Sequence, residues 1–175
     1  MKFDLTFDKD IYNKQMDLLF DIAYKNKIAY YKNAQYLGLI LLIIGSFMIF
    51  KRPNIFGVGY LFVFFGLSNL SPFLYYYFKI RSAYKKIENL KAYEIEAFYK
   101  SQNIQWEFTE KALVINQDNH VKSLDWNEFK IFMVKEDNLI LITNVNQPFI
   151  LGEVEIGSEN FQLIKSFVET KIKKE

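Results

Sequence analysis

The sequence predicts a membrane α+β protein: a two-helix transmembrane hairpin with a cytoplasmic, mostly antiparallel β-domain closed by a C-terminal helix. Three observations predict it. Two uncharged apolar stretches, Asn33 to Phe50 and Pro53 to Phe78, lie almost end to end. No Asp or Glu occurs from Ile22 to Ile87, although that block carries nine Lys and Arg. Beyond Asn103 the apolar residues recur with a period of two, until a final segment in which the period is helical.

The average composition hides this segregation. Across 175 residues the mean hydropathy is −0.03 and the net charge +2, as in an ordinary soluble domain. Divided at its acid-free block, however, the chain carries +9 within the block and −7 outside it. A basic block of this kind is attracted to an anionic membrane surface, and the acidic remainder argues against nucleic acid as a partner. The chain has no cysteine, which excludes disulfides and thiolate metal sites, and His120 is its single histidine. Met1 to Leu5 mixes charged and apolar residues, so the N-terminus is not expected to be a cleavable signal peptide.

In chain order, residues 1–32 read as an N-terminal strand and a juxtamembrane helix. Phe3, Leu5 and Phe7 alternate, and Tyr12, Met16, Leu19 and Ala23 follow at helical steps. Residues 33–78 form the transmembrane hairpin, with spans at about 33–50 and 55–78. Eighteen helical residues cover ~27 Å, enough for the hydrocarbon core of a bilayer. Lys51, Arg52, Pro53 and Asn54 form the turn, short enough to force the spans antiparallel.

Basic residues orient the hairpin. The turn has two, whereas the opposite side has Lys25, Lys27, Lys32, Lys79, Arg81, Lys85 and Lys86, all candidates for membrane-surface contact. Positive residues stay inside, so both termini are expected in the cytoplasm and the chain in the inner membrane as a multi-pass protein. Tyr30, Tyr31 and Tyr36 at one helix end and Tyr75, Tyr76 and Tyr77 at the other fit one aromatic belt. Gly38 and Gly45, and likewise Gly59 and Gly66, stand seven residues apart, placing each pair on one helix face for close packing. A homo-oligomer is a further expected option for the chain. Ser68, Asn69, Ser71 and Pro72 interrupt the second span. Pro72 cannot donate to the Ser68 carbonyl, so a kink is expected there. Without an acid or histidine in either span, Asn69 and the serines read as hairpin packing and backbone satisfaction rather than an ion site.

Residues 79–102 continue as a helical stalk through Ile80, Ala83, Tyr84, Ile87 and Leu90. Residues 103–175 form the β-domain. Ile104, Trp106 and Phe108 open it, and apolar runs at 113–115, 121–124, 129–134, 139–142 and 149–151 alternate with turn-prone clusters. This pattern predicts a meander forming a small curved sheet. Ser158 is expected to cap the last helix, whose buried face carries Phe161, Ile164, Val168 and Ile172.

Several of these segments resemble the YcxB-like family of small bacterial membrane proteins. The likeness rests on the opening Leu5-Thr6-Phe7-Asp8-Lys9-Asp10, the basic approach, the two spans and Leu124-Asp125-Trp126-Asn127-Glu128-Phe129. Leu139-Ile140-Leu141-Ile142, Phe149-Ile150-Leu151 and the final helix complete it. It covers nearly the whole chain and implies a pleckstrin-homology-like cytoplasmic domain of uncharacterised activity, with no catalytic residues to transfer. Members often continue the last strand with Pro and basic residues. Gly152-Glu153-Val154-Glu155 stands there instead, so anionic-lipid binding at that turn is not carried over.

No catalytic, cofactor-binding or metal site is expected. His120 sits in a turn-prone segment without a second histidine, and no glycine run forms a phosphate loop. The close acidic pairs Glu94 with Glu96, Glu136 with Asp137 and Glu153 with Glu155 read as solvated faces, and Trp126 reads as a core anchor. The expected function is a membrane-tethered interaction module that binds an unidentified protein beside the bilayer. The alternative is an immunity or resistance protein against a membrane-directed toxin.

Overall fold

The structure is a computed structural model describing residues 1–51, 57–100, 104–118 and 120–172, with the backbone alone at Lys100. The expected turn residues Arg52, Pro53 and Asn54, and the start of the β-domain at Asn103, lie outside them. In chain order the elements are β1 (Lys2–Leu5), α1 (Lys9–Lys51), α2 (Val58–Lys100), β2 (Ile104–Phe108), β3 (Ala112–Gln117), β4 (His120–Asp125), β5 (Phe129–Lys135), β6 (Asn138–Thr143), β7 (Pro148–Gly152), α3 (Glu153–Ile156) and α4 (Ser158–Lys171). Two compact units result. One is Phe20–Leu90, and the other joins Met1–Leu19 to Lys91–Glu175. The β-unit is therefore discontinuous in sequence, and β1, the start of α1 and the end of α2 lie outside the boundary expected at residue 103.

The helical unit is an antiparallel pair, and both helices are long and apolar enough to cross a membrane. Only 11% of the most apolar stretch of each helix is buried, whereas the core helix of a soluble protein is mostly buried. Ile43, Phe47, Phe64 and Leu67 are among the large apolar side chains left open. The four glycines form the contact. A Cβ placed on Gly45 would stand 2.7 Å from the Gly59 carbonyl oxygen, and one on Gly66 3.0 Å from the Gly38 carbonyl oxygen. Spacings of seven on both helices thus bring Gly38 opposite Gly66 and Gly45 opposite Gly59, where backbones approach as only glycine permits. The helix runs on through Pro72. Asn69, read as hairpin packing and backbone satisfaction, donates its amide to the Phe65 carbonyl of its own helix at 2.9 Å.

Among the described residues, the β-unit holds two antiparallel sheets rather than the single sheet expected, ordered β1-β2-β3-β4 and β5-β6-β7. A single 3-10 turn at Trp126–Glu128 divides the meander, so β4 and β5 do not pair. The Asp125 N–H donates to the Glu128 carboxylate at 2.9 Å, and Trp126 turns inward to donate from its indole to the Thr109 carbonyl at 3.0 Å. A second turn carries unusual backbone: Glu136 and Asp137, between β5 and β6, have φ of 49° and 56°. Positive φ at both central residues is the type I′ pattern that matches strand twist.

Strand β1 pairs with β2 from Lys2 opposite Glu107 to Leu5 opposite Ile104, although both long helices lie between them in the chain. The Met1 ammonium extends the contact by donating to the Phe108 carbonyl at 2.8 Å. Trp106, Phe108, Leu113, Trp126, Phe132, Leu139, Leu141 and Leu151 form the core, which Phe161, Ile164, Val168 and Ile172 of the last helical segment complete. Ser158 is the first residue of α4 rather than its cap. The capping position belongs to Gly157, whose φ of 80° glycine tolerates without strain, because the short α3 ends immediately before it.

Candidate functional site

One cleft of about 380 Å³ in the β-unit combines an apolar lining with converging polar groups. Three parts of the chain build it. The first turns of α1 supply Tyr12, Gln15, Met16 and Leu19, preceded by Leu5 to Asp8. The last turns of α2 supply Glu94 and Phe98. The sheets and α3 add Ile104, Trp106, Gln147 to Ile150, and Glu155.

Asp8 sets where α1 begins. Its Oδ1 accepts the N–H groups of Asp10 at 2.8 Å and Ile11 at 3.0 Å, satisfying donors that a helix start leaves free. The Tyr12 hydroxyl, one turn later, donates to Glu94 Oε2 across the two helices. Burial pushes the Tyr12 phenol well above its ordinary value, and the neighbouring Glu94 carboxylate adds to the effect. Gln15 Nε2 donates to Glu155 Oε2 at 2.6 Å, which also accepts the Gly152 N–H at 2.6 Å. Burial raises the Glu155 carboxyl, and those two hydrogen bonds pull it part of the way back.

The aromatic walls are well defined. Phe7 stacks on Phe98 with centroids 5.0 Å apart and meets Tyr99 edge-on at 5.3 Å. Tyr12 lies 5.7 Å from Phe98, and Trp106 meets Phe149 edge-on at 6.3 Å. Among the described residues, the lining includes the carboxylates Asp8, Glu94 and Glu155 and no Lys or Arg. Lys91, nearby in the chain, is nearly buried and binds Asp17 at 2.5 Å.

This grouping departs from the sequence reading. Glu94 and Glu155 come from two acidic pairs read as solvated, yet each turns one carboxylate into the same cleft. The stripe Tyr12, Met16 and Leu19 was legible, whereas Gln15 was not, because its partners arrive from β6 and α3. His120 is exposed on β4, and Trp126 is in the core, stacked on Phe108 at 6.2 Å. Among the described residues, no group of three or more His, Cys, Asp or Glu could hold a metal ion.

The expected membrane-surface residues Lys25, Lys27, Lys32, Lys79, Arg81, Lys85 and Lys86 are all exposed in the helical unit. Lys79 Nζ donates to the Tyr75 hydroxyl at 3.2 Å and Arg81 to that of Tyr77 at 3.3 Å, one turn back in each case. Tyr30 meets Tyr76 at 5.9 Å, and Tyr31 meets Phe73 at 5.7 Å, so the aromatic ends of the two helices lie level. Compared with family models, curated proteins and solved structures, the chain matches none.

Proposed function

We propose that this chain is a two-span membrane protein whose β-domain is a binding module tethered at the cytoplasmic face, with both termini inside. The observation that carries this reading is the pairing of β1 with β2 around both long helices. A chain that leaves one strand and returns to its neighbour must bring both helix ends back to one side. The tyrosines mark those same ends as lying at a membrane interface, and the basic cluster there favours the inner one. Four strands, then three, then a closing helix also agree with the pleckstrin-homology-like domain implied by the resemblance to the YcxB-like family. The cleft offers such a module its contact surface, and its partner is a molecule presented near the inner leaflet.

Because the chain has no cysteine, topology can be read with single introduced thiols. Lys51→Cys, at the end of α1, is expected to react with an impermeant maleimide on intact cells. Val145→Cys, in the exposed turn before β7, should react only after permeabilisation. Labelling in the reverse order would overturn the orientation, and equal labelling of both sites in intact cells would overturn the two-span reading.

A further inference from the structure

We propose that the cleft of the β-unit is a binding site for a small organic cation with an apolar body, such as an alkyl- or arylammonium. The inference rests on the reading of this domain as a binding module and names the class of ligand. One wall is formed by Phe7 and Phe98, stacked on each other, with Tyr12 beside them, and Trp106 also lines the cleft. Aromatic faces attract cations through their quadrupoles, and a desolvated site strengthens that attraction.

Charge points the same way. Asp8, Glu94 and Glu155 line the cleft, and among the described residues no Lys or Arg lines it with them. Each spends one named oxygen on a local partner: the N-terminus of α1, Tyr12, and Gln15 with Gly152, respectively. Among the described residues, the second oxygen of each accepts no hydrogen bond. A cation entering the cleft would restore to Glu155 the charge partner that its burial otherwise denies it.

Size selects a small molecule. A volume of about 380 Å³ lies at the lower end of ordinary small-ligand sites and is too confined for a folded partner. An alkyl or aryl body would bury against Leu5, Met16 and Ile104, while its ammonium head meets the carboxylates. An anionic amphiphile of the same shape would meet three like charges.

The experiment uses the full chain in nanodiscs of zwitterionic lipid, titrated calorimetrically with 4-phenylbutyltrimethylammonium, with empty nanodiscs subtracted. The cation is expected to bind saturably at one site per chain, and 5-phenylpentanoate not to bind. Glu94→Gln and Glu155→Gln, which keep the local acceptors, should each weaken binding about tenfold. Met16→Lys, which tethers a competing cation in the cleft, should abolish it. Absence of saturable cation binding, equal binding of the carboxylate, or unchanged affinity in both Gln variants would overturn the proposal. So would tighter binding of a lysine-bearing apolar peptide than of the small cation. Should the Gln variants not fold, unchanged binding in a folded Met16→Lys chain overturns it equally. The thiol labelling at Lys51 and Val145 stands or falls independently of these outcomes.

Discussion

A methyl group added at Gly45 gives the sharpest test of how the helical pair is held together. The new Cβ would lie 2.7 Å from the Gly59 carbonyl oxygen, 2.8 Å from the Val63 nitrogen and 2.9 Å from the Phe62 Cβ. Carbon contacts settle at about 3.5–4.0 Å, so the helices must part by roughly 0.5–1 Å. Two of the three obstacles are backbone and cannot rotate away. Overpacking of this kind costs about 1–3 kcal/mol. Alanine recovers at most about 1 kcal/mol by replacing glycine within a helix. Obstacles that cannot rotate away put the cost in the upper half of that range, about 2–3 kcal/mol, so with alanine's gain subtracted the net destabilisation is about 1–2 kcal/mol. At about 2–4 °C per kcal/mol for a chain of this size, the unfolding midpoint should fall by roughly 2–8 °C. The assay is the temperature at which half of the detergent-solubilised protein leaves its monodisperse chromatographic peak. Gly66→Ala should cost less, because its nearest obstacle is the flexible end of Leu42. The double variant Gly45→Ala with Gly59→Ala should lose less than the two single losses combined, since one parting of the helices serves both methyl groups. An unchanged or higher midpoint for Gly45→Ala would refute the glycine contact.

Other predictions concern the β-unit. Replacing residues 20–90 with a short flexible linker should leave a folded domain with a near-ultraviolet signal from Trp106 and Trp126, because Met1–Leu19 and Lys91–Glu175 form one compact unit. A chain starting at residue 103 should lack that signal, having lost β1 and the packing of Phe3 and Leu5 on the core. In the β5–β6 turn, Asp137→Gly should stabilise by about 0.5–1 kcal/mol by removing side-chain strain at positive φ, measured by thermal unfolding. Glu155→Gln should change the pH dependence of stability. The native carboxyl titrates above its unfolded value, so its contribution is fully present below about pH 4.3 and is lost as pH rises through the folded value. The variant should therefore gain stability relative to the native chain as the pH is raised from about 4 to 7. A constant difference across that range would contradict the burial of Glu155.

Local pattern made much of this chain legible. Apolar length alone marks the two helices, a spacing of seven finds the glycine faces, period-two alternation finds the strand that opens the β-domain, and short apolar runs between turn-prone clusters find the strands after it. Phe161, Ile164, Val168 and Ile172 announce the buried face of the last helical segment. Such features depend on neighbours within a few residues, where helical and strand periodicities act directly. Asn69 shows where this stops. A polar group in an apolar helix needs a partner, yet the sequence does not say whether that partner is the facing helix or, as found, a carbonyl one turn back.

What the tertiary structure decided is which distant segments meet. The sequence by itself determined two long apolar helices, a run of antiparallel strands and a closing helix. Tertiary structure decided that β1 completes the first sheet across the whole helical pair, and that Trp126 turns inward to divide seven strands into two sheets. It also decided that Asp8, Glu94 and Glu155 share one cleft. The physical reason is the range of the interactions. Helix and strand periods are fixed by backbone geometry over a few residues. Burial and charge in the cleft arise only when α1, α2, the sheets and α3 close around the same space, and an isolated acidic pair looks the same in sequence whether it ends in water or lines a cleft.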